Sequence, residues 1–242
     1  MGFCSVLDNL TMSDNLINGL ALFWLFFCWI AYSLFAKLMA KRTASLSSLL
    51  HEYRIDWMKS MVTRDIRIAD ATMLASLERS VNFFASTTLL ILAGLLTVLT
   101  RSGEAFTALE DLAFASANGA MHVQFKLLVI IGILVYAFFT FTWSMRQYSF
   151  CNVLMGAATN VTKSDVNSGI GESFTLQMAK VLDQAGHSYN YGLRSYYFAM
   201  AATTWFVDAW IFMATVTFVI AILYRREFHS RPVQAMREIK RA

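Results

Sequence analysis

An aspartate inside an apolar run is the residue of this sequence that most directly suggests chemistry. Asp208 lies near the middle of the run 198–224, about 16 Å along a helix from Tyr197 at ~1.5 Å per residue. A carboxylate at the centre of a membrane-spanning helix costs about 2.5–3.5 kcal/mol, so a role is expected for it. Three roles stay open for Asp208: a hydrogen bond between helices from its protonated form, a relay for protons or cations, and a contact with another subunit.

Three arginines border the apolar runs. Arg79, Arg146 and Arg194 are all expected on the same side of the membrane. Together they could form a basic rim that recruits an anion or a lipid headgroup. The alternative is that they are anchors, whose long side chains reach the headgroup region beside interfacial tyrosines.

The motifs of common enzymes and cofactor sites do not occur in the sequence. His51, His122, His187 and His229 fall outside the spanning cores and form no HxxxH or HExxH pair, which argues against a bilayer haem and a zinc hydrolase. The patterns GxxxxGK[ST], GxGxxG and GxSxG are also missing, and the three cysteines have no metal-binding spacing. We therefore expect no catalytic residue, no cofactor, no metal and no enzymatic activity.

Composition indicates a membrane protein. Of the 242 residues, 57% are hydrophobic and 15% charged, whereas soluble domains have about 45–50% apolar and about 25% charged residues. Four runs are long enough to cross a bilayer core about 30 Å thick. The sequence thus predicts an all-α, polytopic membrane protein of one domain. Its four transmembrane helices are expected at residues 17–36, 80–99, 127–143 and 198–224.

Two connectors between the runs are amphipathic. Residues 44–78 and 172–185 carry apolar side chains at steps of three and four, the pattern of one helix face. Gly186 is expected to end the second of these helices. Both helices could lie along the membrane interface, but we favour a cytoplasmic cap packed beneath the bundle.

Lysine and arginine counts orient the chain, since these residues concentrate on the cytoplasmic side. The first loop, 37–79, holds eight of them and the third loop, 144–197, holds four, whereas the second loop, 100–126, holds two. We therefore expect loops one and three in the cytoplasm and both termini outside, in the cell (inner) membrane. The tail, 225–242, disagrees, because it has six basic residues. The basic loops are expected to meet anionic headgroups, and no nucleic acid.

Several segments resemble the DUF599 family of membrane proteins. The stretch HSYNYGLRSYYFAMAATTWFVDAWIFMATVTFVIAILYRREFHSR resembles its C-terminal part, through GLRxYYF at 192–198 and YRREF at 224–228. LERSVNFFASTTLLILAGLL is similar to the second segment of the family and FTWSMRQYSFCNVLMG to the third, while RIDWM at 54–58 fits the approach to the second span. The resemblance implies an integral membrane protein of uncharacterised function, with Arg79, Arg146 and Arg194 at motif positions and no activity or substrate.

Two functions follow as expectations. The first is a structural, accessory or assembly subunit, bound to a membrane-protein partner or to a second copy of itself. The alternative is a small transporter or channel for an anion or a proton-coupled solute, in which the arginines admit the anion and Asp208 senses protons. A water-filled path to Asp208 would favour transport, and a dry bundle would favour the subunit.

Overall fold

The computed structural model describes residues 2–40, 45–100, 120–158 and 171–241. These residues form seven α-helices and one 3₁₀ turn, and no strand occurs among them. The elements are α1 (Gly2–Ala40), α2 (Leu46–Val62), α3 (Ile68–Thr100), α4 (Ala120–Ala157), α5 (Glu172–Thr203), the 3₁₀ turn (Thr204–Phe206), α6 (Ala209–Phe228) and α7 (Arg231–Arg241).

Four helical segments are long and apolar enough to cross a membrane, which confirms the all-α, polytopic fold class. They are Leu16–Ala36 in α1, the whole of α3, Val123–Ala157 in α4 and Ala209–Lys240 at the C-terminal end. The first three contain the predicted runs 17–36, 80–99 and 127–143, and the second and third extend well beyond them. Their outer faces expose large apolar side chains, as a lipid-facing surface does.

The fourth apolar run, 198–224, is two helices and not one. α5 ends and α6 begins on either side of the turn Thr204–Phe206. Arg226 on α6 donates a hydrogen bond to the hydroxyl of Tyr197 on α5, at 2.6 Å. In one straight helix these two residues would stand about 43 Å apart at ~1.5 Å per residue. The chain therefore reverses at the turn, and α5 and α6 form an antiparallel hairpin.

Asp208 lies at this reversal, so the expectation that it stands in the middle of one spanning helix does not hold. Its exposed carboxylate accepts hydrogen bonds from the backbone N–H groups of Trp210 (2.7 Å) and Ile211 (3.1 Å). This is the pattern of a helix N-cap, which satisfies N–H groups that have no partner within the helix. Because Asp is favoured at a cap and costly in an apolar helix interior, the residue starts α6.

The predicted amphipathic helices also have different bounds. Residues 44–78 divide into α2 and the first turns of α3, and residues 172–185 are only the beginning of α5. Gly186 does not end that helix. A Cβ at this position would overlap the guanidinium of Arg54, so the glycine allows a close approach between α2 and α5.

The C-terminal helix α7 packs against α2. Tyr53 donates a hydrogen bond to the carbonyl of Met236 at 3.2 Å, and Lys240 forms an ion pair with Glu52. The tail therefore lies at the same end of the bundle as the first loop, whereas the four predicted spans would place it at the opposite end. We call the end of the bundle that holds α2 and α7 the cap end.

The opposite end, here called the turn end, holds the reversal between α5 and α6. The indole of Trp205 in the 3₁₀ turn donates to Asn18 of α1 at 2.8 Å, and Lys126 near the start of α4 donates to the carbonyl of Trp205 at 2.9 Å. Within the described parts of the chain, α1, α3, α4, α5 and α6 all run between the two ends. Lys126 is the one described lysine or arginine at the turn end. The additional reversal places the basic tail at the same end as the other basic segments, which removes the conflict in the count of lysines and arginines.

We predict that Glu52 and Lys240 can be cross-linked. With both replaced by cysteine, in a background whose native cysteines are alanine, a short bismaleimide should join α2 to α7 within one chain, because the ion pair holds the two positions together. Peptide mapping by mass spectrometry detects the link. The control pair Asn18→Cys and Lys240→Cys spans the bundle and should stay unlinked; a link in the control pair alone would place the tail at the turn end.

Asp208→Ala should lower the free energy of unfolding by about 1 kcal/mol, the usual effect of removing an N-cap. Asp208→Asn should change it by only a few tenths of a kcal/mol, since Asn caps helices about as well as Asp. Denaturant titration in detergent micelles measures both. Equal losses in the two variants would mean that the charge of Asp208 matters and that its capping geometry does not.

Candidate functional site

The three arginines that the sequence suggested as a rim have different surroundings in the structure. Arg79 and Arg146 are exposed on α3 and α4, and the guanidinium of Arg146 lies 5.8 Å from the ring centre of Phe150. Arg194, on α5, instead faces a cavity at the cap end. Neither Arg79 nor Arg146 lines this cavity, so Arg194 has other neighbours there.

The cavity beside Arg194 has a volume of about 130 Å³, and we call it the cap pocket. Four helices enclose it: the C-terminal parts of α1 and α6, the first half of α2 and the middle of α5. Arg54 and Arg226, which sequence reasoning did not single out, therefore share a pocket with Arg194. The lining residues are Tyr32, Leu46, Ser47, Leu50, Arg54, Asn190, Leu193, Arg194, Tyr197, Leu223, Arg226 and Glu227.

Arg194 is held by aromatic rings and not by hydrogen bonds. Its side chain is only 15% exposed, and its guanidinium carbon lies 5.3 Å from the ring centre of Tyr32 and 5.6 Å from that of Tyr191. The nearest carboxylate oxygen, on Glu227, is 4.0 Å from Nη2, which is too long for a hydrogen bond. Among the described residues, no group accepts a hydrogen bond from this guanidinium.

Glu227 is kept apart from Arg194 by its own bond to α2. Its carboxylate accepts a hydrogen bond from the backbone N–H of Ser47 at 3.2 Å, in the first turn of that helix. A carboxylate is stabilised at a helix N-terminus by the unpaired N–H groups and the helix dipole. Glu227 therefore contributes one negative charge to the pocket while its position is fixed by α2.

The other two arginines of the pocket already have partners. Arg226 donates to the hydroxyl of Tyr197 at 2.6 Å and lies 5.7 Å from the centre of the same ring. Arg54 forms an ion pair with Asp183 of α5. With Arg54 neutralised in this way, Arg194 and Arg226 face Glu227 alone, and the lining has one positive charge in excess.

Asp183 is the centre of a charged cluster that joins α2 to α5 next to the pocket. Besides Arg54, its carboxylate lies 3.2 Å from His51 Nδ1 and 3.1 Å from His187 Nε2. Burial alone would raise the pKa of Asp183, but the hydrogen bond from His187, together with the charges of His187 and Arg54, outweighs it and lowers the pKa to about 2. The carboxylate is therefore charged at neutral pH and holds Arg54 in place.

A second carboxylate also fixes α2, through Trp57 of the RIDWM segment. Trp57 donates its indole N–H to the buried carboxylate of Asp70 at 2.7 Å, and Arg64 forms an ion pair with the same carboxylate. These bonds tie the end of α2 to the start of α3. Both ends of α2 are thus fixed by acidic residues of neighbouring helices.

The described residues offer little for metal or covalent chemistry. No three His, Cys, Asp or Glu side chains among them are grouped so that they could hold a metal ion. Cys28 and Cys151 are buried in the two apolar clusters of the core. The chemistry that the cap pocket itself can perform is the binding of an anion.

The fold and the pocket define a polytopic α-helical membrane protein with a basic pocket at one end. The family described as "Protein of unknown function, DUF599" matches residues 20–232, so the chain belongs to this family, as its motifs indicated. A search of curated proteins and of solved structures found no match to the chain.

Asp183 should stabilise the protein in a pH-dependent way. Its pKa is lowered from 3.8 to about 2 on folding, so its stabilisation is complete above about pH 4 and is lost as the pH falls towards 2, an effect of about 2 kcal/mol. The difference in unfolding free energy between wild type and Asp183→Asn should shrink by that amount over this range. Asp56→Asn, on the exposed side of α2, is the control and should match wild type at pH 7; a difference for Asp183→Asn that is constant from pH 7 to pH 2 would contradict the prediction.

Proposed function

We propose that this chain is a non-enzymatic accessory or assembly subunit of a membrane complex, or of its own homo-oligomer, and that it does not conduct solutes. The observation that carries the proposal is the closely packed core between the cap pocket and the turn end. A transporter needs a polar path or a cavity at the depth of the membrane. The interior at that depth is packed mainly with apolar side chains, and its buried hydroxyl groups, such as those of Thr88 and Ser195, are hydrogen-bonded within the protein.

Five large or branched side chains, from three helices and the 3₁₀ turn, are fully buried in this core. Each is 0% exposed, and the Trp205 and Phe212 rings stack at 5.0 Å between their centres. A hydrated ion could pass through this core only if the helices separated, and the close-packed contacts between them would then be lost. The five residues are Leu25, Phe198, Trp205, Phe212 and Val216.

The outer surface of α3 supports the proposal that the chain binds a partner or a second copy of itself. Only 17% of its spanning window is buried, against 44% for α4. Ser86, Ala93 and Gly94 lie on the exposed part of α3, and a Cβ at Gly94 would meet nothing within 4 Å. Small residues let another helix approach closely in a membrane, where packing drives association. We propose that the partner helix packs on this face.

We also propose that the cap end faces the cytoplasm of a cell (inner) membrane. The described basic residues other than Lys126 lie towards this end, and positive residues are enriched in cytoplasmic loops. The start of α1 would then be outside and the tail inside.

Native mass spectrometry of the protein, purified in mild detergent from its native membrane, tests the subunit proposal. A stoichiometric partner or a homo-oligomer is expected. Gly94→Leu should deplete the larger particle because it fills the close approach on α3. Gly132→Leu is the matched control, since this glycine of α4 also has open space around it. A lone monomer for the wild type would contradict the proposal.

Flux measurements in liposomes test the proposal that the protein does not conduct solutes. Vesicles that contain the purified protein should leak protons, chloride and phosphate no faster than empty vesicles. Saturable flux that is lost in Arg194→Gln would instead establish the transporter alternative, with the cap pocket as its entrance.

A further inference from the structure

The guanidinium of Arg194 has hydrogen-bonding capacity that the protein does not use. Its N–H donors meet no acceptor among the described residues, although the side chain is 15% exposed and largely removed from bulk water. A partly desolvated charged donor without a partner is destabilising. The Tyr32 and Tyr191 rings pack against the guanidinium beside the cavity but cannot accept its five N–H groups as an oxyanion can.

From this geometry we infer that the cap pocket binds a phosphate ester that carries one negative charge, with Arg194 as its principal ligand. The planar fork of arginine matches two oxygens of one phosphate group. Arg226 and Asn190 also line the cavity and can donate to further oxygens. An anion with several acceptor oxygens suits this lining better than chloride does.

The charge of the pocket sets the charge of the ligand. Arg54 is neutralised by Asp183, and Glu227 offsets one of the two remaining arginines. One positive charge is left, which a phosphodiester neutralises. A carboxylate that was free to move could close on Arg194 and block it, but the bond from Ser47 holds Glu227 at 4.0 Å.

The place and size of the cavity fit a headgroup. It lies where the apolar parts of α1 and α6 end, beside Tyr32, Leu223 and Arg226, at the level where lipid phosphates meet a membrane protein. Its volume of about 130 Å³ accommodates a phosphate group and a small substituent, since ~15 Å³ on this measure already holds one water. A phospholipid or a soluble phosphate ester could supply the group.

Lipid binding by the full-length protein in detergent tests the inference. Native mass spectrometry is titrated with phosphatidylglycerol and, separately, with phosphatidylcholine, whose phosphate charge is balanced by choline. Wild type should bind phosphatidylglycerol in a saturable one-to-one complex. Arg194→Gln should weaken that binding about tenfold to a hundredfold, because it removes the charge-assisted hydrogen bonds. Arg146→Gln is the matched control, an exposed arginine outside the pocket, and should bind like wild type.

Two further variants keep the test decisive if Arg194→Gln does not fold. Arg194→Lys retains the charge but loses the fork, and should bind more weakly than wild type. Glu227→Gln removes the negative charge of the pocket and should bind more tightly. Equal losses in the Arg146 and Arg194 variants, or no change in Arg194→Lys and Glu227→Gln, would overturn the inference.

A second arm identifies the source of the phosphate. Isothermal titration with glycerophosphoglycerol, a soluble phosphodiester that carries one negative charge, measures binding of a soluble phosphate ester to the same preparation. Binding of phosphatidylglycerol alone assigns the pocket to lipid, and saturable binding of a soluble phosphate that Arg194→Gln weakens assigns it to a solute. Binding of neither, or equal binding of phosphatidylcholine and phosphatidylglycerol, refutes the site.

Discussion

At the turn end, the ammonium of Lys126 donates to the carbonyl of Trp205 and lies 5.5 Å from the centre of its ring. The lysine is 5% exposed, so this contact has to compensate a desolvated charge, and it does so only while the chain turns back at Trp205. Asn18 binds the same indole, and Asp208 caps the helix that follows. Without this reversal, Arg226 and Glu227 would lie at the opposite end of the molecule from Arg194, and the cap pocket would not exist.

The reversal places a polar helix in the middle of a membrane bundle. α5 contacts α1 through Phe198, which stacks on Trp29, and it contacts α3 through Tyr196, whose hydroxyl lies 3.1 Å from that of Thr88. On α4, the ring of Phe141 occupies the space that a side chain at Gly192 would need. The apolar surfaces of the outer helices can face lipid, while the hydrogen-bonding groups of α5 meet partners inside the protein. The pocket is part of this polar interior where it reaches the headgroup level.

Hydropathy was sufficient to find the first three spans, because each is one uninterrupted helix whose apolar stretch matches the bilayer. It could not find the hairpin, since residues 198–224 are apolar on both sides of the turn and length alone favours one helix. Two signals in the sequence point to a reversal of the chain there: an aspartate directly before an apolar segment, as at an N-cap, and a basic tail that a four-span topology places opposite the other basic segments.

The candidate site was predictable only in part for the same reason. Arg194 stands beside an apolar segment, so its position could be noticed without a structure. Arg226 and Glu227 are distant in sequence and come together with it only through the hairpin. Gly186 was interpreted as a helix stop because glycine often follows a last turn, but here its missing side chain makes room for Arg54. Contacts between residues that are distant in sequence determine both the composition of the pocket and the role of Gly186. A local sequence pattern does not reveal such contacts.

The hairpin also has a consequence for how the protein is made. α5 is not among the segments apolar enough to cross a membrane, whereas α6 is. During synthesis, α5 is therefore too polar to be expected to move from the translocon into lipid when it first emerges. We expect it to enter together with α6, as a pair, and against the outer helices already in place. We therefore expect α5 and α6 to insert as one unit once translation has passed Phe228, and a chain truncated before α6 to keep α5 outside the bilayer.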